Sequence, residues 1–272
     1  IVMPQEVKLH ENNKKFDWSI PSGPYEFLNS NQIRCFDENG YTIIEDAFTP
    51  SELKKVIEII DPFEFNVTEA LKGLDGGKFF ISRAEEITFT THLVTQSEEL
   101  KEFSKHKVFT GICKDLIGDN VRLYWDQAVY KKPGTKDEFP WHQDNGYTFI
   151  EPQAYLTCWV ALTDTDDTNG CPCVMPGLHK KGTLHHEATE LGHEIPLDSA
   201  DSVVLPLKAG SIAVFSSLTP HRTGPNLNNN IRKAYILQYA PEGSKRLISH
   251  SLTEEVNEES RQYFVLKDGR RV

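Results

Sequence analysis

The sequence lacks an excess of positive charge and lacks any long apolar run. Its 29 lysines and arginines stand against 40 aspartates and glutamates, which gives a formal net charge of −11. Such a chain repels nucleic acids and anionic membranes, and no segment has the roughly 20 apolar residues that a membrane-spanning helix needs. We therefore expect neither a nucleic-acid partner nor a membrane partner, whereas a local basic site for a small molecule is compatible with this charge.

Cysteine and targeting signals are also scarce. The five cysteines are scattered along the chain, and an odd, scattered set predicts reduced thiols. Cys171 and Cys173 lack the second pair that a tetrahedral soft-metal site needs. The first residues lack the charged-then-apolar pattern of a secretory signal, and the final "KDGRRV" is not a peroxisomal tripeptide. We therefore expect a cytoplasmic protein, and the sequence leaves its oligomeric state open.

The first part of the chain contains an extended segment, a short helix and a strand. Residues 1–28 are polar and interrupted by prolines, which predicts an extended lead-in. A short helix is predicted over residues 30–38 and ends at Gly40. The segment "YTIIEDAF" that follows is typical of a strand.

Two longer helices are predicted next. Thr49 and Glu52 form a capping box around Pro50, which suits the first helical position, and Pro62 is expected to stop this helix. A further helical stretch is predicted over residues 97–117.

After residue 120 the chain becomes rich in β-branched and aromatic residues. The runs "VRLYWDQAVY", "YLTCWVALT", "SIAVFSS" and "AYILQYA" are divided by glycine, proline, asparagine and aspartate clusters, which is typical of short strands. Helices followed by many strands predict a mainly β fold, a sandwich or barrel buttressed by the amino-terminal helices. Because the helices need the sheet to cover their apolar faces, we expect one domain over residues 1–272.

The stretch "WHQDNG" places His142 and Asp144 two residues apart. In an extended segment such residues project to the same face. The pair therefore offers two of the three ligands of a 2-His-1-carboxylate triad, which leaves open positions on Fe(II). A polar surface turn is the competing interpretation, and an H-x-D pair by itself does not decide between the two.

The third ligand is expected from a distant strand, and His221 is the candidate. It follows the strand-like "SIAVFSSLTP" and precedes a turn and a second strand, which together make a rigid frame for a metal site. Surface roles suit the other candidate histidines better: His10, His106, His179, His185, His186, His193 and His250.

Arg232 starts the strand after His221 and offers a forked cation for a carboxylate. Thr223 has the same strand parity as His221 and adds a hydroxyl donor. A rim salt bridge is the alternative for Arg232. Arg222 is a competitor for the carboxylate, although its position next to His221 turns it to the opposite face of an extended chain.

Four blocks of the sequence occur in one order. They are "DENGYTIIEDAFTPSEL", "WHQD", "TNGCPCVMPGLHKKG" and "PHRTGPNLNNNIRKAYILQY". Together they resemble the phytanoyl-CoA dioxygenase family of Fe(II)/2-oxoglutarate oxygenases, and the similarity runs through most of the chain. One departure is Leu178, where the family usually has serine; this concerns loop detail and not metal ligation.

The resemblance implies a double-stranded β-helix, of the jelly-roll or cupin-like kind, with iron in its mouth. It also implies that His142, Asp144 and His221 bind Fe(II), and that 2-oxoglutarate and O2 are cosubstrates. Arg232 and Thr223 would hold the far carboxylate of 2-oxoglutarate. Two further positions would line that pocket by the same resemblance, namely Gln127 and Trp159.

The expected reaction is oxidation of a small-molecule C–H bond, with 2-oxoglutarate and O2 converted to succinate and CO2. Asp144 separates this chain from related halogenases, in which a small residue leaves room for chloride, so hydroxylation or another oxidation is favoured. The alternatives are a non-catalytic metal-binding β-barrel and a metal-dependent cupin-like hydrolase or isomerase. Arg232 argues against the last, because such enzymes need no cosubstrate clamp.

The substrate itself is not identified by the sequence. Tyr147 and Phe149 follow Asp144 after a turn and are predicted to line the substrate pocket. Phe79 and Phe80 are weaker candidates, since the flexible "DGG" before them allows a lid. Simple packing is the alternative for all four aromatic residues.

Overall fold

The computed structural model describes residues 7–272, so residues 1–6 of the expected lead-in lie outside the described part. The helices of the amino-terminal part begin close to their predicted positions. The helices are α1 Ser30–Asn39, α2 Pro50–Lys72, α3 Glu98–Ser104 and α4 Lys107–Leu116. Helix α1 ends at Gly40 with φ 83°, a left-handed conformation that favours glycine. The capping box of Thr49 and Glu52 is present at the start of α2. None of the helices between residues 7 and 272 combines the length and apolar character that crossing a bilayer requires.

Short 3-10 turns and many strands make up the rest of the described chain. The turns lie at Asp75–Gly77, Leu93–Thr95, Asp144–Gly146 and Leu178–Lys181. The strands are β1 Tyr41–Ile44, β2 Lys78–Phe79, β3 Ser82–Arg83, β4 Ile87–Thr91, β5 Val121–Lys131, β6 Phe139–His142, β7 Ile150–Glu151, β8 Leu156–Ala161, β9 Pro172–Val174, β10 Glu187–Thr189, β11 Gly192–Glu194, β12 Val203–Val204, β13 Ile212–Ser216, β14 His221–Thr223, β15 Arg232–Pro241, β16 Lys245–Ser249, β17 Leu252–Glu255, β18 Phe264–Lys267 and β19 Arg270–Arg271.

Two antiparallel sheets build the jelly roll. The larger runs β1-β13-β8-β15-β5-β4-β3-β2, with β18 and β19 added at β5, and the smaller runs β12-β9-β14-β6. Side chains from both sheets share one buried cluster, in which Trp159 and Phe215 of the large sheet lie with Val174 of the small one. The sheets therefore pack face to face, as the expected sandwich or barrel requires.

The helices cover the outer face of the large sheet. On β8, Leu156, Cys158 and Val160 belong to the core beneath the helices, whereas Trp159 belongs to the cluster between the sheets. Neighbouring side chains of this strand therefore lie on opposite faces of the large sheet. Because side chains alternate along a strand, each strand of the large sheet feeds both the helix-covered core and the barrel interior.

The expectation that Pro62 stops the second helix is wrong. Helix α2 continues to Lys72, and Glu64 in its second half is buried. Glu64 accepts hydrogen bonds from Thr68 at 2.9 Å and from Thr88 of β4 at 2.8 Å. The hydrogen bond from Thr88 anchors the second half of the helix to the sheet, and it offsets part of the cost of the proline interruption, which is about 3 kcal/mol.

The helix predicted over 97–117 is also divided into α3 and α4. His106 lies between them with φ −56° and ψ 145°, and its side chain accepts a hydrogen bond from the Val108 amide. His106 is therefore an N-cap residue and not part of a helix, because its ring satisfies a backbone donor that the new helix leaves unpaired.

Candidate metal centre and the anion pocket beside it

The small sheet brings the predicted ligands together. His142 ends β6 and His221 begins β14, and the two are directly paired across these antiparallel strands. Asp144 starts the 3-10 turn that follows β6. Its Oδ1 atom lies 3.6 Å from His142 Nε2 and 3.5 Å from His221 Nε2. Among the described residues, these three form the one cluster of His, Cys, Asp or Glu side chains whose ligand atoms converge, all within 4.8 Å.

Backbone carbonyls hold both imidazoles in the tautomer that suits a metal. His142 Nδ1 lies 2.8 Å from the Pro140 carbonyl, and His221 Nδ1 lies 3.0 Å from the Thr219 carbonyl. An Nδ1–H that donates to a carbonyl leaves the Nε2 lone pair free for a metal. Burial, with His142 nearby, lowers the pKa of His221 to about 4, so this ring is neutral at neutral pH.

The carboxylate is held as firmly as the imidazoles. Burial by itself raises the pKa of Asp144, but His221, His142 and the Thr157 hydroxyl more than offset it and lower the pKa to about 2. Thr157 donates to Asp144 Oδ2, and Gln238 donates to the Thr157 hydroxyl at 3.2 Å. Oδ1 is thereby left facing the two histidines. Two imidazole Nε2 atoms and one carboxylate fit Fe(II) and leave positions open on it.

Arg232 lies inside the barrel as a buried cation without an anion. Its side chain is 1% exposed, and none of its three guanidinium nitrogens has a hydrogen-bond partner among the described residues. The guanidinium lies 5.1 Å from the centre of the Trp159 ring. Burial lowers the pKa of Arg232 to about 10. Since a buried, unpaired charge is costly, this arrangement is suited to bind an anion.

Arg222, the competitor, occupies a different environment. It forms an ion pair with Glu138, and its guanidinium lies 5.2 Å from the centre of the Trp141 ring. The rim salt bridge that was the alternative for Arg232 is therefore made by Arg222.

Lys131 was missed by the sequence analysis. It pairs directly with Arg232 across the β5–β15 ladder and is 1% exposed. Its ammonium donates to the Thr223 hydroxyl at 3.1 Å and to the Gly224 carbonyl at 2.6 Å. Its position could have been inferred from the alternation of side chains along a strand. Lys131 is four residues after Gln127 and therefore projects to the same side, into the barrel.

The loop residue Gly170 makes room for this arrangement. It has φ +87°, and a Cβ atom there would lie 2.7 Å from the Gly224 carbonyl oxygen and 3.3 Å from Lys131 Cδ. A side chain would collide with the backbone that Lys131 binds, and the left-handed φ favours glycine. Gly170 is therefore required by the shape of this loop.

The other predicted pocket residues lie on the same inner face. Gln127 is partly exposed and accepts a hydrogen bond from Trp125 Nε1 at 3.0 Å. Trp159 is 3% exposed, and it pairs with Ile236 across the ladder.

The structure separates the four aromatic substrate candidates. Tyr147 lies edge-on to His142 with ring centres 5.3 Å apart, and its hydroxyl accepts a hydrogen bond from the His193 amide at 3.2 Å. Phe149 is buried and stacks on His10. Phe79 and Phe80 are 71% and 65% exposed at the tip of the β2–β3 hairpin. Of the four, Tyr147 alone is in ring contact with one of the three clustered residues.

Of the histidines that were expected on the surface, His179 is buried and His186 is half-buried, and both contact the frame of the site. His186 accepts a hydrogen bond from the Gln143 amide at 2.8 Å, and a Cβ atom on Gly146 would lie 2.0 Å from its ring. His179 is fully buried with Nε2 3.0 Å from the Asp37 carbonyl. The expectation of surface roles was wrong for these two residues. Their segments have the polar composition of loops, whereas the folded backbone packs both rings inward. Gly146, in "DNG", was the one signal in the neighbouring sequence that another side chain approaches the backbone closely at this point.

Comparisons with known proteins agree with this geometry. The family model described as Phytanoyl-CoA dioxygenase (PhyH) matches residues 36–234. A phytanoyl-CoA dioxygenase of Arabidopsis thaliana is 24% identical over 248 residues, which cover 77% of this chain and 88% of that protein. A methylphosphonate hydroxylase of Gimesia maris is 30% identical over 154 residues, 56% of each chain.

A solved structure shows the same fold. The non-heme alpha-ketoglutarate-dependent carbocyclase from nogalamycin biosynthesis has a TM-score of 0.65 and 22% identity, covering 92% of this chain and 96% of its own. The predictions of a jelly-roll fold, of the enzyme class and of its cofactors are thus confirmed. The chain belongs to the phytanoyl-CoA dioxygenase family and is an iron- and 2-oxoglutarate-dependent dioxygenase that acts on a small molecule.

Proposed function

We propose that this enzyme oxidises a C–H bond of its small-molecule substrate, in the first instance by hydroxylation. His142, Asp144 and His221 would hold the iron, and Arg232 with Thr223 would bind the far carboxylate of 2-oxoglutarate. When bound, iron and 2-oxoglutarate supply the oxidation, in which O2 is consumed and succinate and CO2 are formed. The main support for this proposal is that the buried guanidinium of Arg232, which has no hydrogen-bond partner among the described residues, lies in the same barrel as the three clustered metal ligands.

The protein's own groups perform positioning and exclusion of water. The carbonyls behind both histidines orient the Nε2 atoms, and the Thr157 hydroxyl orients the carboxylate. Such outer contacts support metal affinity. The proposed role of Gln127 and Trp159 is to line the cosubstrate side, where the Trp159 ring lies beside the Arg232 guanidinium. With Asp144 among the ligands, oxidation is favoured over halogenation.

The substrate is proposed to lie against Tyr147, the aromatic residue next to His142. Phe149 is proposed to support that wall from behind, through its stacking on His10. Phe79 and Phe80 are proposed to belong to a lid, since the neighbouring Ile81 lies close to Gly192, beside the Tyr147 hydroxyl.

The test is succinate release from 2-oxoglutarate by the iron-loaded protein with a panel of small molecules. The panel contains methylphosphonate and phytanoyl-CoA, because relatives are named for activities on these compounds, and free amino acids as a further class. A substrate should raise succinate formation in step with its own oxidised product, and His221→Ala should abolish both. A wild-type protein that binds iron but never forms succinate would favour the non-catalytic metal-binding barrel, whereas turnover without 2-oxoglutarate would favour the cupin-like hydrolase or isomerase.

We further propose a single domain over residues 1–272 in a cytoplasmic setting. Helices α1, α2 and α4 contribute to the same buried cluster as the large sheet, and the five cysteines are all unpaired. Unpaired cysteines are typical of a reducing compartment. Cell fractionation tests the location, and a single cooperative unfolding transition tests the domain assignment.

A further inference from the structure

Two cations lie side by side inside the barrel with no acid between them. Lys131 and Arg232 are directly paired across the β5–β15 ladder, and each is 1% exposed. Directly opposite side chains on neighbouring strands lie about 5 Å apart at Cβ. Within the described residues neither side chain takes part in an ion pair, in contrast to the next residue, Lys132, which pairs with Glu64. This concentration of buried positive charge needs an anion.

The hydrogen bonds of Lys131 decide which donor the pocket presents. Its ammonium group has donors and no acceptor, so the Thr223 hydroxyl accepts the 3.1 Å hydrogen bond. The hydroxyl proton of Thr223 is thereby left free to donate elsewhere. A second Lys131 donor is held at 2.6 Å by the Gly224 carbonyl, which fixes the side chain in place. The pocket thus presents one oriented hydroxyl donor together with the unpaired fork of Arg232.

We propose that Lys131 is a further binding residue of the cosubstrate site, where it orients the Thr223 hydroxyl and forms with Arg232 a two-cation pocket for the far carboxylate of 2-oxoglutarate. This inference rests on the proposed function of the site. Like charges this close destabilise one another, and a carboxylate between them removes that repulsion. Burial, followed by the charge of Arg232, lowers the pKa of Lys131 to about 7, which is the direction expected for a cation that lacks its anion.

The alternative role for Lys131 is that of a purely structural anchor for residues 223–224, and the two roles differ in one measurable respect. A structural anchor affects every ligand of the pocket alike. A cation for the far carboxylate affects 2-oxoglutarate but not 2-oxopentanoate, which has the same chain length and ends in a methyl group.

The experiment measures binding of these two keto acids, without O2, to Mn(II)-loaded protein by calorimetry. Lys131→Met removes the charge and the donors, and Lys131→Arg keeps a charge. The matched control is Lys132→Met, on the adjacent residue that pairs with Glu64. Metal content is measured for each variant.

We expect Lys131→Met to weaken 2-oxoglutarate binding by about 10- to 100-fold, the range for a lost charged hydrogen bond, with 2-oxopentanoate binding and Mn(II) content unchanged. Lys131→Arg should retain more affinity than Lys131→Met, and Lys132→Met should match the wild type. If Lys131→Met does not fold, Lys131→Gln, which keeps a polar side chain without the charge, gives the same comparison and should also lose affinity for 2-oxoglutarate alone.

Two results would overturn the role of Lys131 while leaving the proposed function intact. One is unchanged 2-oxoglutarate affinity in folded Lys131→Met, and the other is an equal loss for both keto acids. A wild-type protein that binds Mn(II) but not 2-oxoglutarate would instead contradict the proposed function itself.

Discussion

Replacement of Arg232 by methionine should have opposite effects on the free protein and on the protein with its cosubstrate. Arg232 is buried with three unpaired nitrogens, so the free protein carries the cost of an uncompensated cation. Methionine fills much of the same space without charge. The variant should therefore be more stable than the wild type on its own, and yet bind 2-oxoglutarate poorly.

The size of the first effect follows from the pKa of Arg232. Burial lowers it from 12.5 to about 10, and each pKa unit corresponds to about 1.4 kcal/mol. The unfavourable contribution is then roughly 3 kcal/mol. A cation whose pKa is lowered on folding destabilises the protein fully at any pH below the folded value and less above it, so the whole effect is present at pH 7. Loss of a charge-assisted contact to a buried carboxylate costs about 2–5 kcal/mol, or roughly 30-fold to a few thousand-fold in affinity for 2-oxoglutarate.

The assay is urea unfolding with and without Mn(II) and 2-oxoglutarate. For the wild type, 2-oxoglutarate should raise the free energy of unfolding above that with Mn(II) alone; for Arg232→Met this increase should nearly vanish at the same concentration. Arg222→Met is the matched control, since Arg222 has its own partner in Glu138, and it should keep the increase. An Arg232→Met protein that is less stable than the wild type without ligand and equally stabilised by 2-oxoglutarate would refute the reasoning.

Four further outcomes are expected. His221→Ala should abolish turnover and Co(II) binding, seen as loss of the visible Co(II) absorption, in a protein that still folds. Thr157→Val should weaken metal binding about 10- to 100-fold because it removes the donor to the carboxylate ligand, whereas Thr157→Ser should not. Tyr147→Ala should lose substrate oxidation but keep succinate formation without substrate. Phe149→Ala should instead lose about 3–5 kcal/mol of stability, measured by urea unfolding. The same loss of activity and stability in both variants would contradict the assignment of Tyr147 to the substrate wall and of Phe149 to its support. Burial raises the pKa of Asp126 from 3.8 to about 6, so the wild-type free energy of unfolding should fall by about 2 kcal/mol between pH 4 and 6 relative to that of Asp126→Asn. Parallel pH profiles of the two proteins would disprove it.

Much of the ligand group could be predicted because its signals are local. His142 and Asp144 are two residues apart, and that spacing already brings both to one side of an extended segment. His221 was recognisable from the strand before it and the turn after it. Helix starts were predictable for the same reason, since the capping box of Thr49 and Glu52 involves residues within one turn.

Other features depend on contacts between residues that are far apart in the sequence. Helix α2 passes Pro62 because Glu64 accepts a hydrogen bond from Thr88 on the sheet, and no signal within the helix predicts this contact. The inward packing of His179 and His186 likewise depends on distant backbone. The sequence also left four aromatic residues as candidates for the substrate pocket, with Phe79 and Phe80 the weaker two, whereas the fold brings Tyr147 to His142.

The cation pair shows most clearly what tertiary structure alone decides. The sequence indicated that Arg232 begins a strand, and it placed Lys131 directly after the strand-like run "VRLYWDQAVY". Only the register between β5 and β15 places the two residues opposite each other, and only the packing of two sheets removes both from water. Register and burial depend on the whole chain at once, because a shift of one residue would turn each side chain to the other face of the sheet.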